Sequence, residues 1–234
     1  MRLSILIRGN NFLEADRFGL SMDARNNIDS LIEKLIDPVR RKDPEANIYL
    51  ATYDSPALAE IQAKIGKCET ILLDAAGSTQ AETYKAGVRR VFEHGKTDVL
   101  IVSRFDLEFK KSFDAWDVQL DENAIYFPWR EYRNHWRDHF RVGDAVHVVG
   151  KNAMSPFYDS LIMSQLSGRK HLHLLYYFLR MMYPDLRFLE EGYWDSNTIF
   201  SNPECDNPLY QIHNRPRIAV ASNGGDSFLQ EVRI

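Results

Sequence analysis

Through the first half of the chain the hydrophobic pattern switches repeatedly between two periods. Leu3 to Ile7 is a short apolar run that ends in Arg8-Gly9-Asn10-Asn11, a strand running into a polar turn. Ala24, Ile28, Leu31, Ile32, Leu35 and Ile36 recur at helical spacing, and Asp37-Pro38 is expected to end that helix. Asn47 to Ala51 reads as a second strand, closed by Thr52-Tyr53-Asp54-Ser55-Pro56, and Leu58 to Ile65 as a helix. Glu69 to Leu73 is a third strand, followed by Asp74 and a loop from Ala75 to Ser78. Ala81, Tyr84, Val88 and Val91 mark a helix that Gly95 terminates. Val99 to Val102 is then continuously apolar and mostly β-branched, as expected of a strand buried on both faces.

The second half is less regular. Ala124 to Phe127 reads as a strand, and Pro128-Trp129 leads into a helix-like stretch through Phe140. Arg141 to Asp144 is a turn before a strand from Ala145 to Val149; that order places Asp144 on the edge opposite the other polar strand ends. Phe157 to Leu166 and His171 to Met182 are expected helices, and Leu186 to Leu189 a short strand opening onto Glu190-Glu191-Gly192-Tyr193-Trp194-Asp195-Ser196-Asn197. After Ser201 the chain reads as irregular, with one last strand at Ile218 to Ala221. The alternation predicts an α/β fold: a mixed, mostly parallel central sheet flanked by helices. With no repeat or linker, residues 1–234 read as one domain, with halves meeting near residue 112.

Polar clusters follow three of the predicted strands: Arg8 to Asn11, Thr52 to Ser55, and Arg104 to Glu108. Open α/β sheets bind ligands beyond the carboxyl ends of their strands, so these clusters would meet along one ligand edge. Each is also ordinary turn chemistry, because Asn, Asp, Ser, Gly and Pro favour turns by themselves.

Composition narrows the classes. Apolar residues are 44% and charged residues 26% of 234, as in ordinary globular proteins, and the net charge of −4 argues against bulk binding to nucleic acid. Cys68 and Cys205 lie far apart and in no metal-binding spacing, which suits reduced thiols and a cytoplasmic protein. The apolar run at the start is too short for a signal peptide, and no stretch is long enough for a membrane span. There is no GxGxxG, GxxxxGK[ST], GxSxG or HExxH.

The central stretch Val102-Ser103-Arg104-Phe105-Asp106-Leu107-Glu108 carries the most specific chemistry. Two hard carboxylates with one residue between them can hold Mg²⁺ or Mn²⁺ while a diphosphate supplies further oxygens. The competing reading is a surface turn in which Lys110 and Lys111 pair with the acids. Arg104 and Arg8 offer planar forks for phosphate, or pair with nearby acids. Asn10 offers an amide to a base or ribose. Tyr53 can stack a base while Asp54 bonds a ribose, although Asp54 or Ser55 before Pro56 is equally a helix start. Tyr84 is a candidate donor contact if its helix turns it toward the same edge, although its place on the apolar stripe leans toward the core. Glu190, Glu191 and Asp195 follow a late strand, where a carboxylate can act as general base toward an acceptor hydroxyl. His213 offers a late metal or phosphate contact, or is an ordinary surface histidine.

Taken together, Ile-Leu-Ile-Arg-Gly, Tyr-Leu-Ala-Thr-Tyr-Asp, Val-Ser-Arg-Phe-Asp-Leu-Glu-Phe, Arg-Val-Gly-Asp-Ala-Val and Glu-Gly-Tyr-Trp-Asp-Ser-Asn-Thr resemble small GT-A-type glycosyltransferases. Within that family the likeness is to sugar transferases of large chlorella-infecting viruses and of bacterial polysaccharide loci, across most of residues 1–215. The resemblance implies a nucleotide-sugar donor, by expectation a UDP-sugar, held through a DxD-like pair and Mn²⁺ or Mg²⁺, and a glycan or glycoprotein acceptor. It gives Asp106 to the ribose or metal and Glu108 to the metal, and lines the nucleotide pocket with Arg8, Thr52, Tyr53, Asp54 and Arg104. The chain departs from the family pattern in having Asp-Leu-Glu where Asp-x-Asp is usual. If the reaction inverts, Asp195 or Glu191 is the expected base. If the protein is viral, it would act in the host cytoplasm. A sugar nucleotidyltransferase would use similar carboxylates but a Gly- and basic-rich loop after the first strand, of which Arg8 to Asn11 is a poor version. A non-catalytic nucleotide- or glycan-binding module stays open as well.

Overall fold

The computed structural model describes residues 1–15, 19–75, 80–131, 141–168, 172–194 and 206–213. In chain order the elements are β1 (Leu3–Arg8), β2 (Phe12–Leu13), β3 (Met22–Asp23), α1 (Ile28–Leu31), α2 (Asp37–Lys42), β4 (Asn47–Tyr53), α3 (Leu58–Ile65), β5 (Glu69–Leu73), α4 (Gln80–His94) and β6 (Val99–Arg104). They continue with β7 (Leu107–Phe109), β8 (Ile125–Phe127), β9 (Arg130–Glu131), β10 (His147–Gly150), α5 (Met154–Leu166), α6 (Leu175–Leu179), β11 (Leu186–Phe188), β12 (Tyr193–Trp194) and β13 (Tyr210–Ile212).

Seven strands form one sheet in the order β11-β8-β10-β6-β1-β4-β5. β1 pairs in parallel with both β4 and β6, β4 with β5, and β11 with β8, whereas β10 runs antiparallel to both its neighbours. This is the mixed, mostly parallel arrangement expected, with strands drawn from both halves of the chain.

Both faces of the central strands are covered, which is why they read as largely apolar runs. On one face Leu3, Ile5 and Ile7 of β1 pack with Ile48, Leu50, Val99 and Ile101 against the helical segment from Ile28 to Val39 and against α3. On the other, Leu6, Tyr49, Leu100, Val102 and Val149 pack with Tyr84, Val88 and Val91 of α4 and with Phe157 and Leu161 of α5. Gly87 lets α4 sit close to the sheet: a Cβ there would fall 2.4 Å from Leu6 Cδ1.

Three expectations change. The first helix does not end at Asp37-Pro38; a π-helical turn, Ile32–Ile36, precedes α2, and helical chain continues to Lys42. Proline lacks an N–H and its ring crowds the carbonyl one turn back, and the wider π turn accommodates both defects. The stretch after Trp129 begins as β9, with Arg130–Glu131 paired to Tyr193–Trp194, and its remainder to Phe140 lies outside the described residues. The helix expected from His171 to Met182 is confined to Leu175–Leu179, because the His173 carbonyl accepts from Val142 N at 2.9 Å. Ile218 to Ala221, Ser78, His171 and Cys205 also lie outside the described residues.

Candidate functional site

The parallel strands bring their carboxyl ends to one edge. Arg8 ends β1, Tyr53 ends β4 and Arg104 ends β6, with Arg8 in register with both Ala51 and Arg104. The three clusters expected to converge therefore do so. The first turn is stitched by Thr52 Oγ1 donating to Gly9 O at 2.7 Å and Asn11 Nδ2 donating to Tyr53 O at 3.0 Å. Thr52 is buried, and its hydroxyl shapes the turn from beneath. Asn10 and Asp54 are exposed, and Tyr53 is half-buried, so these three present surface at the edge.

Asp144 corrects the sequence reading. The strand it precedes is antiparallel to β6, with His147 opposite Val102, so its amino end reaches the same edge as Arg8 and Arg104. Only the direction of β10 decides this, and the local pattern of a buried strand is the same in either direction. Arg8 Nη2 donates to Asp144 O at 2.6 Å, and Arg104 Nη1 stands 3.9 Å from Asp144 Oδ1. His173 Nε2 is 3.7 Å from Asp144 Oδ2, and His173 Nδ1 is 3.8 Å from Oε1 of the fully buried Glu131. Glu131 and Tyr210 join this cluster without a sequence signal of their own, since their positions depend on the short pairings of β9 and β13.

Below the cluster lies a buried polar floor. The Arg8 guanidinium sits 4.1 Å from the centroid of the Tyr84 ring, and the Tyr84 hydroxyl shares a 2.7 Å hydrogen bond with His147 Nδ1. Arg8, Tyr84 and His147 have no exposed surface. Tyr84 thus lies under the site as part of the core, and the route by which it was expected to touch a donor is filled by Arg8. Among the described residues, Arg8 Nε and Nη1 meet no hydrogen-bond acceptor.

Electrostatics follow from burial and crowding. Burial, with the like charge of Arg104 adding to it, lowers Arg8 to about 10. Burial opposes charge on Arg104 too, but Asp106 and Asp144 outweigh it and raise its pKa above the ordinary value. Burial also works against ionisation of Asp144, yet His173, Arg104 and Arg8 hold its carboxyl well below the usual range. Burial and then Arg8 push His147 down to about 3. Burial and the nearby Asp144 and Glu131 carboxylates raise the Tyr210 hydroxyl well above its usual value.

Asp106 and Glu108 flank Leu107 at the start of β7, which pairs antiparallel with β13: Glu108 lies opposite Gln211, and Leu107 opposite Ile212. The carboxylates are not neutralised by Lys110 and Lys111, which turn to Asp206 and to Glu190. Asp106 instead accepts a two-pronged bond from Arg104, with Nε to Oδ1 at 2.8 Å and Nη2 to Oδ2. Glu108 Oε2 accepts from Gln211 Nε2 at 2.6 Å, and His213 Nδ1 is 3.7 Å away. His213 N donates to Asp106 O at 2.7 Å, which ties the late segment to the acidic pair.

Two hard carboxylates and an imidazole suit Mn²⁺ or Mg²⁺, and the two bonds to Arg104 leave each Asp106 oxygen with acceptor capacity. Among the described residues no three His, Cys, Asp or Glu side chains close around an ion, so ligand oxygens would have to complete the shell. Of the two expected bases, Glu191 is exposed, with Oε2 3.5 Å from Arg130 Nη1, and Asp195 lies outside the described residues.

The sheet order, the antiparallel β10 and the acidic strand beyond β6 define the fold as that of a GT-A-type glycosyltransferase. In particular, the chain is similar to a glycosyltransferase involved in the glycosylation of the major capsid of PBCV-1, at 12% identity and a TM-score of 0.53, over 91% of this chain and 93% of that one. It also matches a nucleoside-diphosphate-sugar pyrophosphorylase from Vibrio cholerae, at 11% identity and a TM-score of 0.49, over 80% of this chain and 92% of that one. A third match is the glycosyltransferase GlyE of Streptococcus pneumoniae, at 13% identity and a TM-score of 0.44. That match covers 81% of this chain but only 45% of GlyE, so the chain spans less than half of that relative's length. No family model and no curated protein matches the chain. Among the described residues no helix is long and apolar enough to cross a membrane.

Proposed function

We propose that the protein is a glycosyltransferase that moves a sugar from a nucleoside-diphosphate sugar, by expectation a UDP-sugar, to a hydroxyl of a glycan or glycoprotein. The observation that carries this reading is the meeting of Arg8, Arg104, Asp106, Glu108 and Asp144 at one edge of the sheet, two of them guanidiniums and three carboxylates. With a divalent cation on the acids, such an edge would suit a diphosphate, whose charge grows as the sugar leaves. On this reading Tyr53 stacks the base, Asp54 and Asn10 bond the ribose or base edge, and Asp106 and Glu108 hold Mn²⁺ or Mg²⁺ with His213 beside them. A cation held there would supply positive charge against that developing on the diphosphate leaving group. Arg104 orients the Asp106 carboxylate, and Arg8 supplies fixed positive charge from below. Should the transfer invert the anomeric centre, Asp195 or Glu191 takes the proton of the acceptor hydroxyl. The protein would do this work in the cytoplasm.

The test is a screen of nucleotide sugars with Mn²⁺ for release of free nucleoside diphosphate, with and without acceptor glycans. Donor-specific release that EDTA stops and Asp106→Asn abolishes is the expected result. Full turnover in a folded Asp106→Asn variant would overturn the site assignment. Pyrophosphate formed from a nucleoside triphosphate and a sugar phosphate would replace glycosyl transfer by nucleotidyl transfer. Normal turnover in Asp195→Asn would remove that residue as base and pass the test to Glu191.

A further inference from the structure

The acidic pair poses a problem that its surroundings answer. Asp106, offered above as a metal ligand, is already gripped by Arg104 through both oxygens, and both side chains are largely shielded from water, at 17% and 14% exposure. A cation approaching Asp106 meets a guanidinium held by two charge-assisted bonds. Stripping Arg104 away without giving it a new partner would strand a buried charge, which is costly.

A second acceptor stands ready. Asp144 Oδ1 is 3.9 Å from Arg104 Nη1, on the side of the guanidinium away from the bond to Asp106 through Nη2. The Asp144 carboxylate is buried and only loosely engaged: among the described residues its nearest partners are Leu172 N at 3.4 Å and His173 Nε2 at 3.7 Å. Arg8 does not fill this role, because its Nη2 donates to the Asp144 backbone carbonyl and not to the carboxylate, and its plane rests on Tyr84. One guanidinium therefore faces two carboxylates, bonded tightly to one and within a small side-chain shift of the other.

We propose that Arg104 is a transferable counter-ion, which occupies Asp106 in the metal-free protein and passes to Asp144 when a divalent cation takes Asp106. The inference rests on the metal reading of Asp106 and adds to it the means by which Arg104 keeps a carboxylate partner in both states. In this arrangement Asp144 is a positioning residue that acts only through Arg104. The cation's affinity in the absence of donor is set by the competition between metal and arginine for one carboxylate.

The test is direct Mn²⁺ binding to the full chain, followed by the electron paramagnetic resonance signal of the free ion, with no nucleotide present. Arg104→Gln is expected to bind Mn²⁺ roughly tenfold or more tightly than the unaltered protein, the scale of one lost charge-assisted hydrogen bond. Asp144→Asn is expected to weaken Mn²⁺ binding by a similar factor, because Arg104 then has nowhere to go. In the Arg104→Gln background the same Asp144→Asn change should have no effect. A general field effect of the Asp144 charge would instead weaken binding equally in both backgrounds, and that result overturns the proposal. If Asp144→Asn fails to fold by circular dichroism, Arg104→Lys decides: it keeps the charge but loses the fork, so tighter Mn²⁺ binding supports transfer and unchanged binding refutes it. Asp106→Asn separates the two layers. Unaltered Mn²⁺ binding in that variant removes the metal reading and this inference together. Binding lost in Asp106→Asn but equal in Arg104→Gln and the unaltered protein removes the inference alone.

Discussion

His147 gives a stability prediction that can be worked through from its surroundings. The ring is fully buried between Phe127, Phe157 and Tyr84, with ring centroids 5.2, 5.5 and 5.7 Å away, and Tyr84 bonds to its Nδ1. Burial, then the Arg8 charge, lowers its pKa from 6.5 to about 3, so the folded protein holds it neutral while the unfolded chain protonates it below 6.5. Between those values the unfolded state binds more protons, so stability rises with pH and is lost as pH falls. From pH 7 to pH 4.5 this one group removes about 3 kcal/mol of folding stability. Urea unfolding at a series of pH values measures the loss, and the variant His147→Asn isolates it from other titrating groups. Asparagine keeps an acceptor near the Nδ1 position. The variant should be less stable at pH 7, because it gives up ring packing, but its stability should fall less steeply between pH 7 and 4.5. Parallel pH profiles for the two proteins would refute the assignment of a neutral buried imidazole under the site.

Two further outcomes follow from the packing. Tyr84→Phe removes the bond to His147 and leaves a buried ring nitrogen without its partner, which should cost about 1–3 kcal/mol of stability in urea unfolding; because Tyr84 lies beneath Arg8, donor KM should stay unchanged, and a large rise in KM with intact stability would show that it touches the donor after all. Gly150→Ala places a Cβ 2.3 Å from the Glu122 carbonyl carbon, a backbone atom that cannot simply swing aside, so a loss of about 1–3 kcal/mol is expected in the same assay.

The parallel core was legible because its inner strands β1, β4 and β6 are buried on both faces and so are largely apolar, as in Ile5 to Ile7 and Val99 to Val102. The candidate ligand edge followed from chain direction alone: Arg8, Tyr53 and Arg104 end neighbouring parallel strands and so meet. What stayed hidden depends on pairings between distant segments. The Asp144 expectation failed because apolar content does not encode strand direction, and a reversed β10 carries its first residues to the edge that parallel strands reach with their last. The helix past Pro38 was misjudged because a proline signal is local, whereas the π turn that absorbs it is held in place by Leu35, Ile36 and Val39 packing on the sheet. Glu131 reads as part of a helix-like stretch and Tyr210 as irregular late chain until β9 and β13 are paired.

The clasp between β7 and β13 has a consequence for how the protein comes into being. During synthesis the segment bearing Asp106 and Glu108 emerges about a hundred residues before Tyr210–Ile212, the strand that fixes its ladder and delivers Gln211 and His213 to its acids. A nascent chain that has already built β1, β4 and β6 thus still has an unfastened acidic strand. Residues up to His213 must leave the ribosome before this corner closes, so the candidate centre is completed only after the strands β1, β4 and β6 that frame it have been made.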